Sequence, residues 1–184
     1  AFYSNDTWDL EFKTDSFGWV EIAGISDRND YDLIQHSKAS GQKLKAEGEA
    51  PHIIELAFGS DRIVYSLIDI FLDEEKVKND MRVIWRIPKS LAPVRFAVFP
   101  LQNKDGLPEK AREVYEELSK NYRCLLDVSG SIGKRYRRQD ERGTPHCITV
   151  DYESLKDDTV TLRDRDTMEQ KRIKIKDLNK VDVS

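Results

Sequence analysis

An arginine close to a glycine is the combination in this sequence best suited to holding a phosphate. Arg62 follows Gly59 by three positions and stands near the start of an apolar helix predicted over about 62–72. A guanidinium group is planar and permanently charged, so it can stack on a base and neutralise phosphate, and a helix N-terminus adds a partial positive charge. A surface ion pair explains an arginine at this spacing equally well.

Two glutamates lie in the middle of predicted strands. Glu21 belongs to the alternating segment 18–25, and Glu55 interrupts the apolar segment 51–58. Carboxylates on neighbouring antiparallel strands can both face one ammonium group, which suits a small cationic substrate. A single glutamate in a strand more often faces solvent or pairs with Lys or Arg, so each residue alone leaves both interpretations open.

A basic segment lies in the second half of the chain. Residues 134–142 hold five cations among nine positions, with Tyr136 between them. Such a segment offers phosphate contacts and a stacking surface for single-stranded bases. On a helix the cations point in several directions, and nearby carboxylates such as Asp140 and Asp164 could pair with them, so structural salt bridges remain an equally good interpretation.

The predicted strands and helices that position these residues follow one order in the first half of the chain and another in the second half. Alternation over 7–12 and 18–25 predicts an antiparallel pair joined by a turn at 15–18, followed by a helix at 29–40 and a loop at 41–50. The helix at 62–72 is apolar nearly all round, which predicts that it is buried. After a proline-bounded link at 88–93, strands at 94–101, 124–128 and 146–151 alternate with helices at 108–122 and 131–142, and a hairpin covers 159–175. This order predicts an independent α/β domain with a mixed sheet.

Composition limits the class of protein. The chain has 184 residues, 39% of them hydrophobic, and no apolar stretch long enough to span a bilayer. Residues 1–92 carry 11 basic and 17 acidic side chains, against 19 and 17 in residues 93–184, which suits a cationic small substrate in the first half and a polyanion in the second. Cys124 and Cys147 stand apart from other metal ligands, so we expect a cytoplasmic protein without a metal site or disulfide.

Three segments closely resemble the glycyl-tRNA synthetases, class II aminoacyl-tRNA synthetases, of the archaeal/eukaryotic-like type. Residues 17–33, FGWVEIAGISDRNDYDL, resemble the segment between motifs 2 and 3, and residues 51–62, PHIIELAFGSDR, resemble motif 3. Residues 127–145, with 161–166, resemble the anticodon-binding domain, which prolyl, threonyl and histidyl enzymes share more distantly. The resemblance covers about 6–175 in the order that the family has.

The resemblance implies an α/β (α+β) fold with two domains: residues 1–87 as the C-terminal part of an antiparallel-sheet catalytic domain, and residues 94–184 as an anticodon-binding domain. It implies a ligase that forms glycyl-adenylate from glycine and ATP with Mg²⁺ and passes glycine to tRNA(Gly) without a covalent nucleophile. Glu21, Glu55 and Ala57 would bind glycine, and Gly59 and Arg62 would bind ATP. The residues expected to contact tRNA are Lys134, Arg135, Tyr136, Arg137, Arg138, Arg163 and Arg165.

The sequence also departs from the family. Leu56 and Ala57 stand where the family has Pro-Ser, and that serine ordinarily helps to hold glycine. Motifs 1 and 2, which supply the homodimer interface and the arginine on the α-phosphate, are absent, so we expect the chain alone to be inactive. A catalytically silent tRNA-binding or accessory module therefore stays an alternative, as does another class IIa synthetase. We also expect residues 93–184 to fold and bind an anticodon stem-loop by themselves.

Overall fold

A computed structural model of the chain describes residues 2–44, 51–78 and 80–181. The chain forms two compact units, Ala1–Ile70 and Phe71–Ser184. Most of the loop predicted at 41–50 lies outside the described residues, which include only 41–44 of it. The mixed α/β class is confirmed, with antiparallel strands in the first unit and a mixed sheet in the second.

The first unit is a three-stranded antiparallel sheet with two helices. Strands β1 (Asp6–Thr14), β2 (Gly18–Asp27) and β3 (Ile54–Phe58) lie in that order, and helices α1 (Tyr31–Ser40) and α2 (Ser60–Phe71) follow β2 and β3. The turn between β1 and β2 ends at Gly18, whose φ of 71° lies in the left-handed region that glycine adopts without strain. The predicted strand pair and both helices are therefore present.

A β-bulge in β2 decides which side chains share a face of this sheet. Leu10 pairs with Ala23 whereas Glu11 pairs with Glu21, so Ile22 is an extra residue on β2. Strict alternation would put Glu21 on the face of Ala23, but the bulge moves it to the other face, because directly paired residues point the same way. That polar face carries Asp9, Glu11, Glu21, Gly24, Ser26, Glu55 and Ala57.

The opposite face of the sheet and much of α2 are apolar and exposed. Trp8, Leu56 and Phe58 are 68%, 62% and 66% exposed, and Ser66 is the buried residue of α2. The prediction that α2 is buried is therefore wrong for this chain. The apolar side chains of α2 lie where the sequence indicates, but the described part of the chain contains no second layer of structure that covers them.

The second unit contains a hairpin and a five-stranded mixed sheet. The hairpin consists of β4 (Leu72–Val77) and β5 (Asp80–Trp85). The sheet order is β10-β9-β8-β6-β7, with β6 parallel to β7 and β8 and the other pairs antiparallel. Its strands and helices are β6 (Phe96–Pro100), α3 (Leu107–Ser119), β7 (Cys124–Leu126), α4 (Ile132–Glu141), β8 (His146–Val150), α5 (Ser154–Asp157), β9 (Thr159–Asp164) and β10 (Gln170–Lys174), and 3₁₀ helices cover Lys89–Leu91 and Ile175–Lys180.

The core of this unit lies between the sheet and α3. Phe96, Val98 and Ile148 from the parallel strands pack with Leu107 and Val114 of α3, and all are at most 2% exposed. Phe96–Pro100 and His146–Val150 are buried at every position, as expected of central strands covered on both faces. This buried sheet positions α4 and the loops at its ends.

The hairpin is joined to the sheet by buried charges. Arg82, fully buried, donates from Nε to Asp140 Oδ2 at 2.8 Å and from Nη1 to Glu75 Oε1 at 2.6 Å. Arg163 of β9 binds the same carboxylate, with Nη1 2.8 Å from Asp140 Oδ1. The second compact unit therefore begins at Phe71, earlier than the predicted link at 88–93, and the assignment of residues 1–87 to a catalytic domain stays a prediction.

Candidate functional site

Arg62 lies in the first turn of α2 and reaches back to β2. Its Nη1 donates to the backbone oxygen of Glu21 at 2.9 Å and lies 3.3 Å from Glu21 Oε2. The two side chains are 54% and 47% exposed. The guanidinium group is thus held at one edge while the rest of its surface stays open to solvent.

Gly59 allows Arg62 to take this path. A β-carbon at position 59 would lie 3.1 Å from Arg62 Cδ, closer than ordinary contacts. The Gly59 N–H donates to Ile22 O at 3.1 Å, and its carbonyl accepts the N–H of Ile63 at 3.0 Å. The bulged residue of β2 is therefore hydrogen-bonded to the residue that precedes α2, and an exposed arginine lies at a helix start, the end of a helix that attracts anions.

Glu55 is paired with a different arginine. Arg28 Nη1 donates to Glu55 Oε2 at 3.1 Å, and Arg28 also binds Asp32 with Nε–Oδ2 and Nη2–Oδ1 distances of 2.8 and 2.7 Å. The hydrogen bonds from Arg28 hold the pKa of Asp32 below its usual range. Glu55 keeps 46% of its side chain exposed, so one arginine shared with Asp32 neutralises it only in part.

The two glutamates share a face but lie at different registers of the sheet. Glu21 pairs with Glu11, whereas Glu55 pairs with Ser26, which in turn pairs with Thr7. Those two partners on β1 are four positions apart, so the backbones of the glutamates are offset by about 13 Å along the strands. The Glu21 carboxylate leans toward the space between them, because its Oε1 would lie 3.8 Å from a β-carbon on Gly24. Joint binding of one ammonium group by both carboxylates stays a prediction.

The space between the glutamates is lined by small residues. Gly24 pairs with Ala57 there, and a β-carbon on Gly24 would lie 3.7 Å from Asp9 Oδ1 and 3.8 Å from Glu21 Oε1. Asp9 was not singled out from the sequence. Only the bulge brings it beside Glu21, so strand alternation gave no signal for it.

The residues predicted to contact tRNA on α4 are mostly occupied by structural contacts. Arg135 is 2% exposed, and its Nη2 donates to the carbonyl oxygens of Val128 and Gly130 at 2.9 Å each. Arg137 pairs with Asp80 at 2.9 Å and Arg138 with Asp127 at 2.7 Å. Lys134 is exposed and forms no ion pair within the described residues.

Of the remaining three members of that set, Arg163 and Arg165 are buried and Tyr136 is partly buried. Arg163 binds Asp140 and lies 4.9 Å from the centre of the Tyr136 ring, whose hydroxyl contacts Thr149. Burial raises the pKa of Tyr136. Arg165 is 2% exposed and donates to the carbonyl oxygens of Ile87 and Gly143 at 2.9 Å each. The guanidinium groups of Arg135, Arg163 and Arg165 therefore bind other groups of the protein. In this structure they stabilise the fold and do not present their charge to a polyanion.

A cleft of about 600 Å³ lies elsewhere on the second unit. Apolar side chains at its wall include Leu162, Ile173 and Val181, and its cations are Lys89, Lys171 and Lys180. Asp164 also lines it, 3.7 Å from Lys89. Burial would raise the pKa of Asp164, but N–H groups of Thr167 and Asp166, together with Lys89, outweigh this and leave the pKa lowered. Glu169 and Asp177 also line the cleft, and Lys180 Nζ lies 2.7 Å from Asp177 Oδ1. The cleft thus combines apolar surface with lysines and carboxylates, which is chemistry suited to an unstacked nucleotide.

Within residues 2–44, 51–78 and 80–181, no three His, Cys, Asp or Glu side chains are grouped so as to hold a metal ion. In the same residues, every helix is too short or too polar to cross a bilayer.

Both parts of the chain are similar to known proteins. Residues 95–181 match the family described as "Anticodon binding domain". The chain is 47% identical over 185 residues to the glycine–tRNA ligase of Clostridium beijerinckii, covering 97% of this chain and 39% of the relative. The ligase of Agathobacter rectalis is 48% identical over 189 residues, and that of Ruminiclostridium cellulolyticum 50% over 183 residues; the chain spans 40% and 39% of their lengths. Residues 95–181 therefore match an anticodon-binding domain family, and nearly the whole chain is similar to a portion of these glycine–tRNA ligases that makes up about two fifths of their length.

Proposed function

We propose that this chain is the part of a glycine–tRNA ligase that contributes one side of the glycyl-adenylate site and the anticodon-recognition domain. The observation that carries this proposal is Arg62, which lies half-exposed at the start of α2 beside a strand face of carboxylates. The homology to ligases over 97% of the chain supports the same reaction class.

In the proposed reaction, the carboxylate of glycine attacks the α-phosphorus of ATP and pyrophosphate leaves. A hydroxyl at the 3′ end of tRNA(Gly) then attacks the carbonyl carbon of the adenylate, which forms the glycyl ester and releases AMP. ATP, with Mg²⁺, supplies the activated phosphate. Arg62 and Gly59 hold the nucleotide, because a guanidinium can both stack on adenine and neutralise phosphate. Orientation and charge, with no covalent nucleophile on the chain, are the sources of rate enhancement.

Glycine binds, in this proposal, at the Gly24–Ala57 position of the polar face. Glu55 holds the ammonium group, and the missing side chain at Gly24 leaves room beside Asp9 and Glu21. Selection against larger amino acids is steric, because a side chain on the substrate would meet these strands. Ala57 provides no hydroxyl, so the ammonium group has fewer hydrogen-bond partners than a serine there would give it.

The second unit, we propose, binds tRNA through the cleft lined by Lys89, Lys171 and Lys180. Lysine contacts to phosphate position the strand, while Asp164 accepts hydrogen bonds from a base edge. The homodimer and the cytoplasmic location that the family resemblance implies stay predictions.

The test of the ligase proposal is ATP–pyrophosphate exchange by the complete protein that contains this chain. We expect exchange with glycine and little with alanine, serine or proline. Arg62→Ala should lower exchange by at least 100-fold if Arg62 stabilises charge at the phosphates, and Lys134→Ala, a distant exposed cation, serves as the control. Exchange with proline would instead indicate another class IIa enzyme.

A catalytically silent tRNA-binding module is the second candidate, and Ala57 in place of a serine favours it. Absence of exchange from the complete protein, with retained binding of tRNA(Gly), would establish that candidate in place of the ligase.

The proposed binding of tRNA in the cleft lined by Lys89, Lys171 and Lys180 has a separate test. Lys171→Ala should weaken binding of a tRNA(Gly) anticodon stem-loop and reduce the slope of log K against log salt by about one. Lys134→Ala is the matched control on α4 and should change neither. If Lys134→Ala weakens binding and Lys171→Ala does not, RNA lies along α4 and not in the cleft.

A further inference from the structure

We propose that a second groove on the second unit binds a backbone phosphate of the RNA strand that enters the cleft lined by Lys89, Lys171 and Lys180. The groove encloses about 490 Å³, and its charged side chains are Arg95 and Arg123. We call it the Arg95–Arg123 groove. The inference rests on the proposed binding of tRNA in the cleft, and it adds Arg123, which the sequence analysis did not single out, as an RNA contact.

The groove differs from the cleft in the sign of its charge. Asp164, Glu169 and Asp177 line the cleft beside its lysines, whereas the described residues that line the groove include no carboxylate. Arginine is a preferred partner of phosphate oxygens, while a base edge needs hydrogen-bond acceptors as well as donors. The two sites therefore suit different parts of one nucleotide chain, the groove a phosphate and the cleft a base.

The groove and the cleft adjoin across one turn of 3₁₀ helix. Within Lys89–Leu91, the side chain of Lys89 belongs to the cleft, while Ser90 and Leu91 line the groove. Consecutive Cα atoms are about 3.8 Å apart, so the step from one site to the other is short. One RNA strand can therefore contact both sites.

Both sites also lie at the same end of the five-stranded sheet. Arg95 and Arg123 immediately precede the parallel strands β6 and β7, and the Arg95 N–H donates to the carbonyl oxygen of Arg123 at 2.8 Å. The cleft is lined by His146, the first residue of β8, and by Asp164, the last residue of β9. Because β9 is antiparallel to β8, these two residues are directly paired at the end of the sheet where β6 and β7 begin.

The two arginines of the groove differ in how they are held. The guanidinium group of Arg95 donates to the carbonyl oxygens of Lys89 and Ser90, which joins the start of β6 to the 3₁₀ helix. Carbonyl oxygens carry no net charge, so these two bonds do not neutralise Arg95. Arg123 is exposed and forms no ion pair within residues 2–44, 51–78 and 80–181. A phosphate in the groove would therefore meet one anchored cation and one that is open to solvent.

Loss of one phosphate contact has a defined effect on salt dependence. Each phosphate that a protein neutralises on a single strand contributes about −0.7 to the slope of log K against log salt. Removing one contact should therefore lower the affinity about fivefold at about 0.1 M salt, relative to the value extrapolated to about 1 M salt.

The experiment measures binding of a tRNA(Gly) anticodon stem-loop to the complete protein over a range of salt concentrations. We expect Arg123→Ala to reduce the magnitude of the slope by about 0.7 and to weaken binding about fivefold at about 0.1 M salt, and Arg123→Lys to retain most of both. Arg112→Ala is the matched control and should change neither. Arg112 is also exposed and without an ion pair in the described part of the chain, but it lies on α3, beside a different depression lined by Glu109 and Glu113.

Stem-loops that each carry one uncharged methylphosphonate linkage identify the phosphate that is bound. At one linkage the wild-type protein should lose about fivefold in affinity while Arg123→Ala loses nothing further, because both changes remove the same contact. Equal losses in the two proteins at every linkage would show that Arg123 acts only through long-range attraction, and would overturn the inference.

Lys171→Ala distinguishes failure of this inference from failure of the proposed function. If Lys171→Ala weakens binding and Arg123→Ala does not, RNA occupies the cleft without reaching the groove, and the inference alone is refuted. If Arg123→Ala weakens binding and Lys171→Ala does not, the two sites do not hold one strand, which also contradicts the inference. If neither variant changes binding, the proposed binding of RNA in the cleft is refuted as well.

Discussion

Asp140 is the residue whose replacement should damage the second unit most. Its carboxylate is 1% exposed and accepts hydrogen bonds from Arg82 and from both terminal nitrogens of Arg163. Asp140→Asn removes the charge and leaves two buried arginines with one partner fewer. Removing one member of a buried ionic cluster costs about 3–5 kcal/mol, because the remaining charge is buried without compensation.

Arg82→Met should cost less than Asp140→Asn, although Arg82 is fully buried. After that change Asp140 keeps Arg163, and Glu75 keeps Arg86 at 2.6 Å, so neither carboxylate is left without a cation. The interaction lost is then the hydrogen bond from Arg82 Nη2 to the backbone carbonyl of Arg165. A buried acceptor left without a donor costs about 1–3 kcal/mol. Asp80→Asn is the control, since Asp80 is 74% exposed and its pair with Arg137 is worth less than about 1 kcal/mol.

Urea unfolding followed by circular dichroism on residues 71–184 measures these differences. The order of destabilisation should be Asp140→Asn, then Arg82→Met, then Asp80→Asn. Equal losses for Asp140→Asn and Asp80→Asn would refute the reasoning, because burial of the carboxylate would then have no energetic weight.

Three further predictions concern the same unit. Residues 71–184 should unfold cooperatively on heating. Residues 93–184, which the sequence suggested would fold alone, should show a lower thermal midpoint or no transition. The reason is that they lack Arg82 and the Ile87 carbonyl that binds Arg165. Gly143→Ala should lower stability by about 1–3 kcal/mol in urea titrations, because φ is +74° and a β-carbon would lie 2.7 Å from Ile87 Cγ2; no change would show that this turn can relax. Burial would raise the pKa of Asp151, but hydrogen bonds from Arg172 and Ser154 outweigh it and leave the pKa of the folded state lowered. The ionised carboxylate therefore contributes stability that is complete above the ordinary pKa of 3.8 and is lost as pH falls below it. Asp151→Asn should reduce the loss of stability at acid pH, and an unchanged loss would assign it to other carboxylates.

The order of most strands and helices was predictable because those elements have a clear local pattern. Alternation located β1 and β2, and the change to strands separated by helices indicated the mixed sheet. The hairpin over 72–85 was missed because its first strand is an acidic run, Asp73 to Glu75, with little alternation. Its stability comes from Arg82 and its contacts with Asp140, 58 residues away, which no local pattern reveals.

The candidate sites also depend on contacts that a local sequence pattern does not reveal. The contact between Gly59 and Arg62 could be predicted because the two residues are only three positions apart, and their role in binding ATP stays a prediction. The face of Glu21 depends on one bulged residue, Ile22, and alternation assigned it to the wrong side. On α4, the sequence offered cations but not their partners, and Asp127 for Arg138 and Asp80 for Arg137 are supplied by distant loops and strands.

Calorimetric titration of a non-reactive glycyl-adenylate analogue, 5′-O-(glycylsulfamoyl)adenosine, into the complete protein tests the central claim directly, namely that Arg62 and Glu55 frame one binding site. Arg62→Ala and Glu55→Gln should each weaken binding by at least tenfold, while Lys134→Ala leaves it unchanged. Binding of the analogue at wild-type affinity in both site variants would show that this strand face and the start of α2 do not hold the adenylate.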